Sequence, residues 1–346
     1  MNSPIVTNRH QVVGILILNQ NGKRWLPILY DSISPQGYPH VRVYLVDNAS
    51  TDGSIELTLK NYPEVTVIRM PKNMGYCMSY NLAMPYAFAD GCDWVIWANN
   101  DTRLEPGCLN ELVRVALADP RIGVVGPAFL EWEKDEPNYY ILGNHPNAVP
   151  AMRKLGSEPM DVDWVEGSFL MVSRRCAEAV GPLDPLLFLY CEETDFCRRA
   201  RYQGWKVLLV PNALARHYAG GSSEGNYEIR RAMNWLQTRN YYIYHLANPF
   251  QRFSRNMLGT VHLFGVKVKE HLTNHSPASI FFETRVSLFI LRNLRTVFLK
   301  WQRDRAGGKP PMTTPDLKSL RPEILRNHSH FEERDSLPLG RLSANR

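Results

Sequence analysis

Two polar clusters, each directly after an apolar run, contain the side chains best suited to chemistry. Val41 to Val46 has the β-branched and aromatic content of a buried strand, and Asp47 and the turn-forming residues Asn48 to Gly53 follow it. Trp94 to Ala98 is a second apolar run, and Asn99-Asn100-Asp101 follows it. Because ligands collect at the carboxyl ends of parallel strands, both clusters are predicted to face one cleft.

The residue types in these clusters fit a nucleotide with a diphosphate. Asp47 is placed where a base or ribose would be recognised, and Asp101 could bind a divalent cation that neutralises a diphosphate leaving group. Asn99 and Asn100 offer amides for ribose hydroxyls or for holding the turn. Simpler interpretations are a strand-turn-helix in which Ser54 caps the helix, and an Asn-Asp turn bonded to its own backbone.

Two later clusters could complete a site. Glu192, Glu193 and Asp195 open a predicted helix, where carboxylates interact favourably with the helix dipole. One of them, directed into the cleft, could act as a general base toward an acceptor hydroxyl; capping the helix is the alternative. His217, followed by Gly220 to Ser223, could bind a metal while its loop closes over a diphosphate, or it could be structural.

The elements that must position these residues alternate between strands and helices. Strands are predicted at 12–18, 41–46, 66–70, 94–98, 122–125 and 206–210, and helices at 25–32, 54–61, 74–88, 106–117, from 174, at 193–203 and from 226 onward. This alternation predicts an α/β fold with an open, mostly parallel sheet flanked by helices. Glu131 to Met160 is rich in Pro, Asn, Gly and charge, which indicates a loop insertion near the site.

The length and composition fit one large domain with an appendage. A chain of 346 residues with 44% hydrophobic content can bury a core of roughly 250 residues. We expect the main domain at 1–248, with a donor half at about 10–130 and an acceptor half at about 160–248. A basic amphipathic helical extension is expected at 249–306, and the Pro-rich and charged tail at 307–346 is predicted to be disordered.

The basic residues concentrate in the C-terminal extension, although the net charge is only +6. Eleven basic residues and three acidic residues lie between Gln251 and Lys309, which favours an anionic partner surface. As one helix, Arg285 to Arg303 would separate an apolar side from a basic side. The apolar side would contain Val286, Ile290, Leu294, Val297, Phe298 and Trp301, and the basic side Arg285, Arg292, Lys300 and Arg303. Such a helix could lie on an anionic membrane, or its apolar stripe could pack on the catalytic domain or on a second subunit of a homodimer.

Targeting and cysteine patterns set the expected compartment. Met1 to His10 is polar and predicts no secretory signal peptide, and apolar runs such as Val286 to Leu291 are too short to span a bilayer. The six cysteines form no CxxC pair, so we expect reduced thiols and no zinc site. The expected location is the cytoplasm, with peripheral attachment to the inner face of the cell membrane as an option. No nucleic-acid partner is predicted.

The joint order of the motifs resembles the family 2 glycosyltransferases of GT-A fold, and it is most similar to their rhamnosyltransferase-like bacterial branch. The resemblance covers roughly Val12 to Tyr244, and the order is more specific than any single motif. The motifs are Leu18-Asn19-Gln20-Asn21-Gly22, Asp47 to Ser54, Asn73-Met74-Gly75-Tyr76 with Asn81, Asn99-Asn100-Asp101, Gly167-Ser168-Phe169, Glu192-Glu193-Thr194-Asp195 and His217.

The resemblance implies a role for each matched residue. Asp47 would read the nucleobase, Asp101 would be the metal-binding last position of the DXD motif, and His217 would contribute to the metal and diphosphate site. Glu193 would be the base, with Glu192 and Asp195 as its catalytic neighbours. Other donor-binding residues would be Asn19, Ser50, Asp52, Asn73, Gly75, Asn81, Asn99 and Asn100, and the acceptor side would include Trp164, Glu166 and Gly167.

Two residues depart from the family pattern. Asn99 replaces an Asp and leaves one carboxylate in the metal cluster, so weaker metal affinity is expected. Glu193 replaces the usual Asp and is longer by one methylene, so the base would sit slightly differently.

The implied reaction is an inverting, non-processive transfer that uses Mg²⁺ or Mn²⁺. One sugar, with rhamnose favoured, would pass from a nucleoside-diphosphate donor to a hydroxyl of a glycan or a polyprenyl-linked acceptor. No nucleophile for a retaining path is evident, and Gln237-Thr238-Arg239 lacks the Gln-x-x-Arg-Trp form of processive synthases. A nucleotidyltransferase or dinucleotide oxidoreductase would need more glycines than Leu18 to Gly22 contains. A non-catalytic sugar-nucleotide-binding or assembly protein is the remaining alternative, supported by the reduced DXD motif.

Overall fold

The computed structural model of the protein describes residues 11–139, 157–218, 227–274, 277–312 and 322–325. Within these ranges, one sheet of ten strands has helices packed on both of its faces. The first part contains β1 (Val13–Asn19), α1 (Leu26–Ile33), β2 (Val41–Asp47), α2 (Ser54–Asn61), β3 (Thr66–Arg69), α3 (Gly75–Ala89), β4 (Trp94–Asn99), β5 (Thr102–Leu104), α4 (Cys108–Ala116) and β6 (Ile122–Leu130).

The second part completes the sheet and adds the C-terminal helices. It contains β7 (Met160–Asp161), β8 (Phe169–Ser173), α5 (Arg174–Val180), α6 (Glu192–Tyr202), β9 (Lys206–His217), α7 (Tyr227–Leu246), α8 (Phe253–Thr273), α9 (Pro277–Arg292), α10 (Leu294–Arg305) and β10 (Glu323–Leu325). None of the helices in the described ranges is long and apolar enough to cross a bilayer.

The strand order is β10-β3-β2-β1-β4-β8-β6-β9-β5, with β7 paired to β9. The strands β3, β2, β1 and β4 are mutually parallel, whereas β8 runs antiparallel to both β4 and β6. The predicted α/β fold is therefore confirmed, with a parallel donor half and a mixed sheet beyond β4. In this register Asn19 pairs with Asp47 and Leu18 pairs with Asn99, so the polar ends of three strands meet at one edge.

Both faces of the central strands are buried, which explains why they are apolar along most of their length. On β1, Leu16 packs into one core while Ile15 and Ile17 pack into the other. On β4, Trp97 and Ile96 divide between the two cores in the same way. The polar side chains are thus confined to the strand ends, where the candidate site lies.

Strand β9 is longer than predicted because a proline does not end it. The expectation placed its end at Val210, before Pro211, but β9 continues to His217 through a register shift that pairs Val210 with Pro127 and Leu214 with Ala128. The unpredicted strand β5 then pairs Thr102 with His217. This extension places His217 beside the end of β4.

Two local predictions are wrong. Ser54 does not cap α2 from outside: Gly53 precedes the helix with φ of +82°, and the backbone N and the hydroxyl of Ser54 both donate to the Asp52 carboxylate. Within the tail predicted to be disordered, Glu323–Leu325 form an antiparallel edge strand on β3. Residues 313–321 and 326–346 of that tail lie outside the described ranges.

The C-terminal extension is not one amphipathic helix with a basic side. Asn293 separates α9 from α10, and Val286, Ile290 and Val297 are buried in the main core. Lys300, predicted on the solvent side, is only 3% exposed. At Val286, Ile290 and Val297 the apolar stripe therefore packs on the catalytic domain, which was the predicted alternative to membrane binding.

Lys300 lies at the centre of a buried ion cluster. Its Nζ is 2.8 Å from Asp195 Oδ1, 3.0 Å from Asp184 Oδ2 and 2.8 Å from Asp304 Oδ2. Burial favours the neutral amine, but the three carboxylates outweigh it and raise the pKa of Lys300. The cluster joins α10 to the first turn of α6, which carries the candidate catalytic residues.

We expect Lys300→Met to destabilise the protein by about 3–5 kcal/mol, because it leaves buried carboxylates without their central cation. Chemical denaturation at pH 7 measures this change. Lys269→Met is the matched control, since Lys269 is exposed on α8 and should change the free energy of unfolding by less than about 0.5 kcal/mol. Equal unfolding free energies for the two variants would contradict the importance assigned to the ion cluster.

Candidate active site

The elbow after β2 is held by a hydrogen-bonded hub at Asn19, the last residue of β1. Asn19 Nδ2 donates to Asp47 Oδ1 and to Ser50 Oγ, both at 3.0 Å, and Asn19 Oδ1 accepts from Asn100 Nδ2 at 2.8 Å. The second oxygen of Asp47 accepts from the backbone N of Ser50 at 2.9 Å. Asn19 and Asp47 are fully buried, so one network joins the ends of β1, β2 and β4.

Each oxygen of the Asp47 carboxylate accepts one of these bonds and keeps a further lone pair. These bonds hold the turn after β2 in place. Contact of Asp47 with a nucleobase stays a prediction. Asn100 acts within the same network and supports the turn, as one of its two predicted roles required.

Asp52 fixes the outer part of the elbow. Its carboxylate accepts from the backbone N of Lys23 at 2.8 Å and from Ser54, so it ties the loop after β1 to the start of α2. Burial opposes ionisation of Asp52, but the bonds from Ser54 and Lys23 prevail and lower its pKa. These contacts hold the elbow in place, and binding of the donor by Asp52 stays a prediction.

Asn73 and Gly75 form the neighbouring wall. Asn73 Oδ1 accepts from Asn48 Nδ2 and from the backbone N of Gly75, both at 2.9 Å, and Asn73 Nδ2 donates to Gln20 at 2.7 Å. Gly75 has φ of +69°, and a Cβ there would lie 2.6 Å from the ring of Phe188. Glycine at 75 therefore allows the start of α3 to approach the loop that leads into α6.

A candidate cation site lies at the end of β4. His217 Nε2 is 3.2 Å from Asp101 Oδ1 and 3.4 Å from Asn99 Nδ2, and Asp101 is only 6% exposed. Burial lowers the pKa of His217, but Asp101 and Glu166 raise it by more, so the net shift is upward. The structure thus brings together the two residues predicted to bind metal, Asp101 and His217, and places Asn99, predicted to face the ribose, beside them. The loop from 219 to 226, predicted to close over a diphosphate, lies outside the described residues.

The segment Glu166 to Ser168 joins this cation site to the first turn of α6. The backbone O of Ser168 accepts from Asn99 N at 2.8 Å and from Thr102 Oγ1 at 3.1 Å. Gly167 packs against the side chain of Glu193, where an added Cβ would lie 3.1 Å from Cγ. Glu166 interacts electrostatically with both His217 and Glu193. Residues 166–168 therefore connect the cation site to Glu193.

The carboxyl groups of Glu166, Glu192 and Glu193 form an acidic cluster. Burial, reinforced by the charge of Glu166, raises the pKa of Glu193 to about 7. Burial and the charge of Glu193 raise the pKa of Glu192 well above its ordinary value, and burial also raises the pKa of Glu166. Glu193 is therefore the member that can exchange a proton near neutral pH.

Asp195, predicted as a third catalytic carboxylate, has a different environment. Its oxygens accept from Arg198 and Arg199 at 2.9 Å, and Lys300 lies 2.8 Å away. Burial would raise its pKa, but these three cations lower it strongly. These contacts favour the ionised form of Asp195 and anchor the first turn of α6, and a catalytic role of Asp195 stays a prediction.

Asn81 and Trp164 also lie apart from the polar cluster. Asn81 exchanges two hydrogen bonds of 2.8 Å with the backbone N and O of Leu183, which occupies its amide and joins α3 to the loop before α6. Trp164 is partly buried and packs against the main core. Asn81 thus connects α3 to the loop before α6. Its contact with the donor, and a role of Trp164 toward an acceptor, stay predictions.

The loop before α6 is strained and is held from α7. Phe188, Tyr190 and Cys191 have φ values of +62°, +73° and +64°. Such conformations cost about 1–3 kcal/mol each and persist only where surrounding contacts impose them. Here Asn240 Nδ2 donates to the backbone O of Leu189 and Tyr190 at 2.8 Å. Asn240 was not identified from the sequence, since nothing in its local pattern links it to this loop.

Aromatic residues beside the cation site were also missed. Tyr218 lies 4.4 Å from Trp25 and 5.8 Å from Trp132, measured between ring centroids. Arg24 lies over Trp25 and Arg103 over Trp132. Trp132 belongs to the insertion predicted at 131–160, of which 131–139 and 157–160 are described, and its ring lies beside Tyr218, the residue that follows His217. Tryptophans in polar loops were the signal that could have identified this group.

Comparison with known proteins agrees with this architecture. The family model described as Glycosyl transferase family 2 matches residues 13–176. The chain is 31% identical over 209 residues to the N-acetylglucosaminyl-diphospho-decaprenol L-rhamnosyltransferase of Mycobacterium tuberculosis, covering 53% of this chain and 68% of that protein. It is 25% identical over 184 residues to the dTDP-rhamnosyl transferase RfbF of Shigella flexneri, covering 52% and 61%.

A solved structure supports the fold. The mannosyltransferase PcManGT from Pyrobaculum calidifontis, in complex with GDP-Man and Mn²⁺, superposes with a TM-score of 0.52 at 15% identity, over 86% of this chain and 87% of that chain. The resemblance recognised in the motifs is therefore confirmed. The chain belongs to glycosyltransferase family 2 and is a nucleotide-sugar-dependent glycosyltransferase of GT-A fold.

Proposed function

We propose that the protein transfers one L-rhamnose from a nucleoside-diphosphate donor, dTDP-rhamnose, to a hydroxyl of a polyprenyl-diphosphate-linked glycan, with inversion at the anomeric carbon. The names of the two rhamnosyltransferase relatives support the sugar, and one of them supports the lipid-linked acceptor. The observation that carries the proposal is the position of Glu193. The segment 166–168 links it to the cation site, and burial raises the pKa of its carboxyl to about 7.

Glu193 is the general base of the proposed reaction. Its carboxylate takes the proton of the acceptor hydroxyl while that oxygen forms a bond to the anomeric carbon. The bond from this carbon to the diphosphate oxygen breaks with its electron pair, and the nucleoside diphosphate leaves. A single displacement of this kind inverts the anomeric configuration.

The residues at the end of β4 fit a divalent cation. Asp101 Oδ1 and His217 Nε2 are 3.2 Å apart, close enough to bind the same ion. In the described part of the chain, no group of three or more His, Cys, Asp or Glu residues could hold a metal by itself. Mg²⁺ and Mn²⁺ accept such sparse sites because they take further ligands from water and substrate phosphates. When bound, the cation would neutralise charge on the diphosphate.

Sugar transfer should depend on Glu193 far more than on its neighbour Glu192. We expect Glu193→Gln to reduce kcat by about 10²–10⁴-fold, because an amide cannot accept the hydroxyl proton. Binding of dTDP with Mn²⁺, measured by calorimetry, should be retained. Glu192→Gln is the matched control, since burial favours the neutral form of the Glu192 carboxyl and the amide is a neutral group of similar shape. Equal activity of the two variants would show that Glu193 is not the base.

The close contact of Gly167 with Glu193 should also control the rate. Gly167→Ala forces the Glu193 side chain to move by a few tenths of an ångström, and we expect kcat to fall by roughly tenfold to a hundredfold. Gly265→Ala on α8 is the control, because no atom lies within 4 Å of an added Cβ there. Thermal unfolding of both variants verifies that they fold. A Gly167→Ala enzyme with the kcat of the unmodified protein would contradict the placement of Glu193.

A further inference from the structure

The C-terminal helices expose large apolar side chains on the side away from the core. We call seven residues the outer apolar residues, and their exposed fractions range from 48% to 73%. They are Leu258, Val261 and Leu272 on α8, Phe281, Leu288 and Leu291 on α9, and Leu299 on α10. Contiguous exposed apolar groups on a soluble domain generally mark a surface that binds something.

Helical geometry places these residues on single faces. On α8, Val261 and Leu272 follow Leu258 by 3 and 14 residues, which returns close to the same side of a helix. On α9, Leu288 and Leu291 follow Phe281 by 7 and 10 residues. The two helices are neighbours, with His271 Nε2 3.8 Å from Glu283 Oε1. The buried residues Val286 and Ile290 occupy the opposite side of α9.

Positive charge surrounds the outer apolar residues. Arg255, Lys269, Arg292 and Arg295 are exposed, and none of them forms an ion pair with another residue in the described ranges. Of the three acidic residues between 251 and 309, Glu283 is 7% exposed and Asp304 is 2% exposed. Glu270 alone is exposed, and it pairs with Lys267 at 3.4 Å. The surface is therefore apolar and cationic.

A cleft lined by both apolar and polar side chains borders the same side of α8. His245, Arg255 and His262 are among its lining residues. Imidazole and guanidinium groups donate hydrogen bonds to phosphate oxygens, so this cleft could receive phosphate groups that lie next to the apolar stripe.

The positive charge of this surface favours an anionic membrane over a second copy of the chain as its occupant. A second copy of the chain would bring one cationic surface against another, and such like-charge contact is unfavourable. An anionic lipid surface offers acyl chains for the apolar residues and negative headgroups for the basic residues. The second occupant satisfies both features of the surface.

We propose that the outer sides of α8, α9 and α10 dock the enzyme on an anionic membrane, with the outer apolar residues at the boundary between headgroups and acyl chains. A lipid-linked acceptor would be presented at such a membrane surface. The docking site itself is inferred from α8, α9 and α10 alone and does not rest on the proposed function.

Vesicle flotation of the full-length protein tests the docking directly. Vesicles of phosphatidylcholine with 30% phosphatidylglycerol, roughly the anionic content that gives a strong surface potential, are compared with pure phosphatidylcholine. We expect at least about tenfold stronger partition onto the anionic vesicles, with a marked loss in 0.5 M NaCl, a concentration of roughly three times physiological ionic strength. Because the assay contains neither donor nor acceptor, its outcome is independent of rhamnosyl transfer.

Two double variants separate the apolar and the charged contributions. Leu258→Glu with Leu291→Glu, and Arg292→Glu with Arg295→Glu, should each reduce binding by about tenfold or more. The matched control is Leu117→Glu with Lys60→Glu, which changes a 53% exposed leucine after α4 and an exposed lysine on α2. Thermal unfolding establishes that each variant folds.

Three results would overturn the proposal. Equal partition onto neutral and anionic vesicles would remove the role of charge, and equal losses in the control variant would remove the role of this surface. A dimer in light scattering that the Leu258→Glu and Leu291→Glu variant converts to a monomer would assign the surface to a second copy.

Discussion

The first turn of α6 carries three carboxyl groups of opposite electrostatic character, of which Glu192 and Asp195 are buried and Glu193 is half-buried. Asp195 is surrounded by Lys300, Arg198 and Arg199, so it stays ionised in the interior. Glu192 and Glu193 form no ion pair with the described residues, and burial raises their pKa values. A buried charge needs a partner, and a general base must be free to take a proton. Both requirements are met in this turn, because the cations lie beside Asp195 and not beside Glu193.

This division makes the C-terminal helices part of the catalytic unit. Lys300 reaches Asp195 from α10, and Asn240 on α7 holds the strained loop that leads into α6. The cation site is linked to the first turn of α6 by the segment 166–168. Ser168 binds the end of β4, and Gly167 contacts Glu193. The proposed base Glu193 is thus fixed between a buried ion cluster and the strand ends, which suits a reaction that depends on positioning.

The sequence predicted the parts of the site that follow strand ends. Apolar runs followed by turn residues are local patterns, so the positions of Asp47, Asn99 and Asp101 at one sheet edge followed from alternation and motif order. Lys300 was assigned to solvent because helical periodicity describes one helix and not what packs against it. The environments of Asp195 and Asn81 arise from partners on distant segments, which no spacing reveals. His217 was recognised, but the irregular strand that carries it was not, because Pro211 indicated a turn.

The central claim is that the elbow at Asp47, the cation site at Asp101 and His217, and the base Glu193 form one pocket. A crystal structure of the protein with thymidine diphosphate and Mn²⁺ tests this most directly, since anomalous scattering locates the ion. The account predicts the thymine ring at Asp47, the ion bound to Asp101 and His217, and the open end of the diphosphate directed toward Glu193. A nucleotide bound at another surface, or an ion with no contact to Asp101, would contradict it.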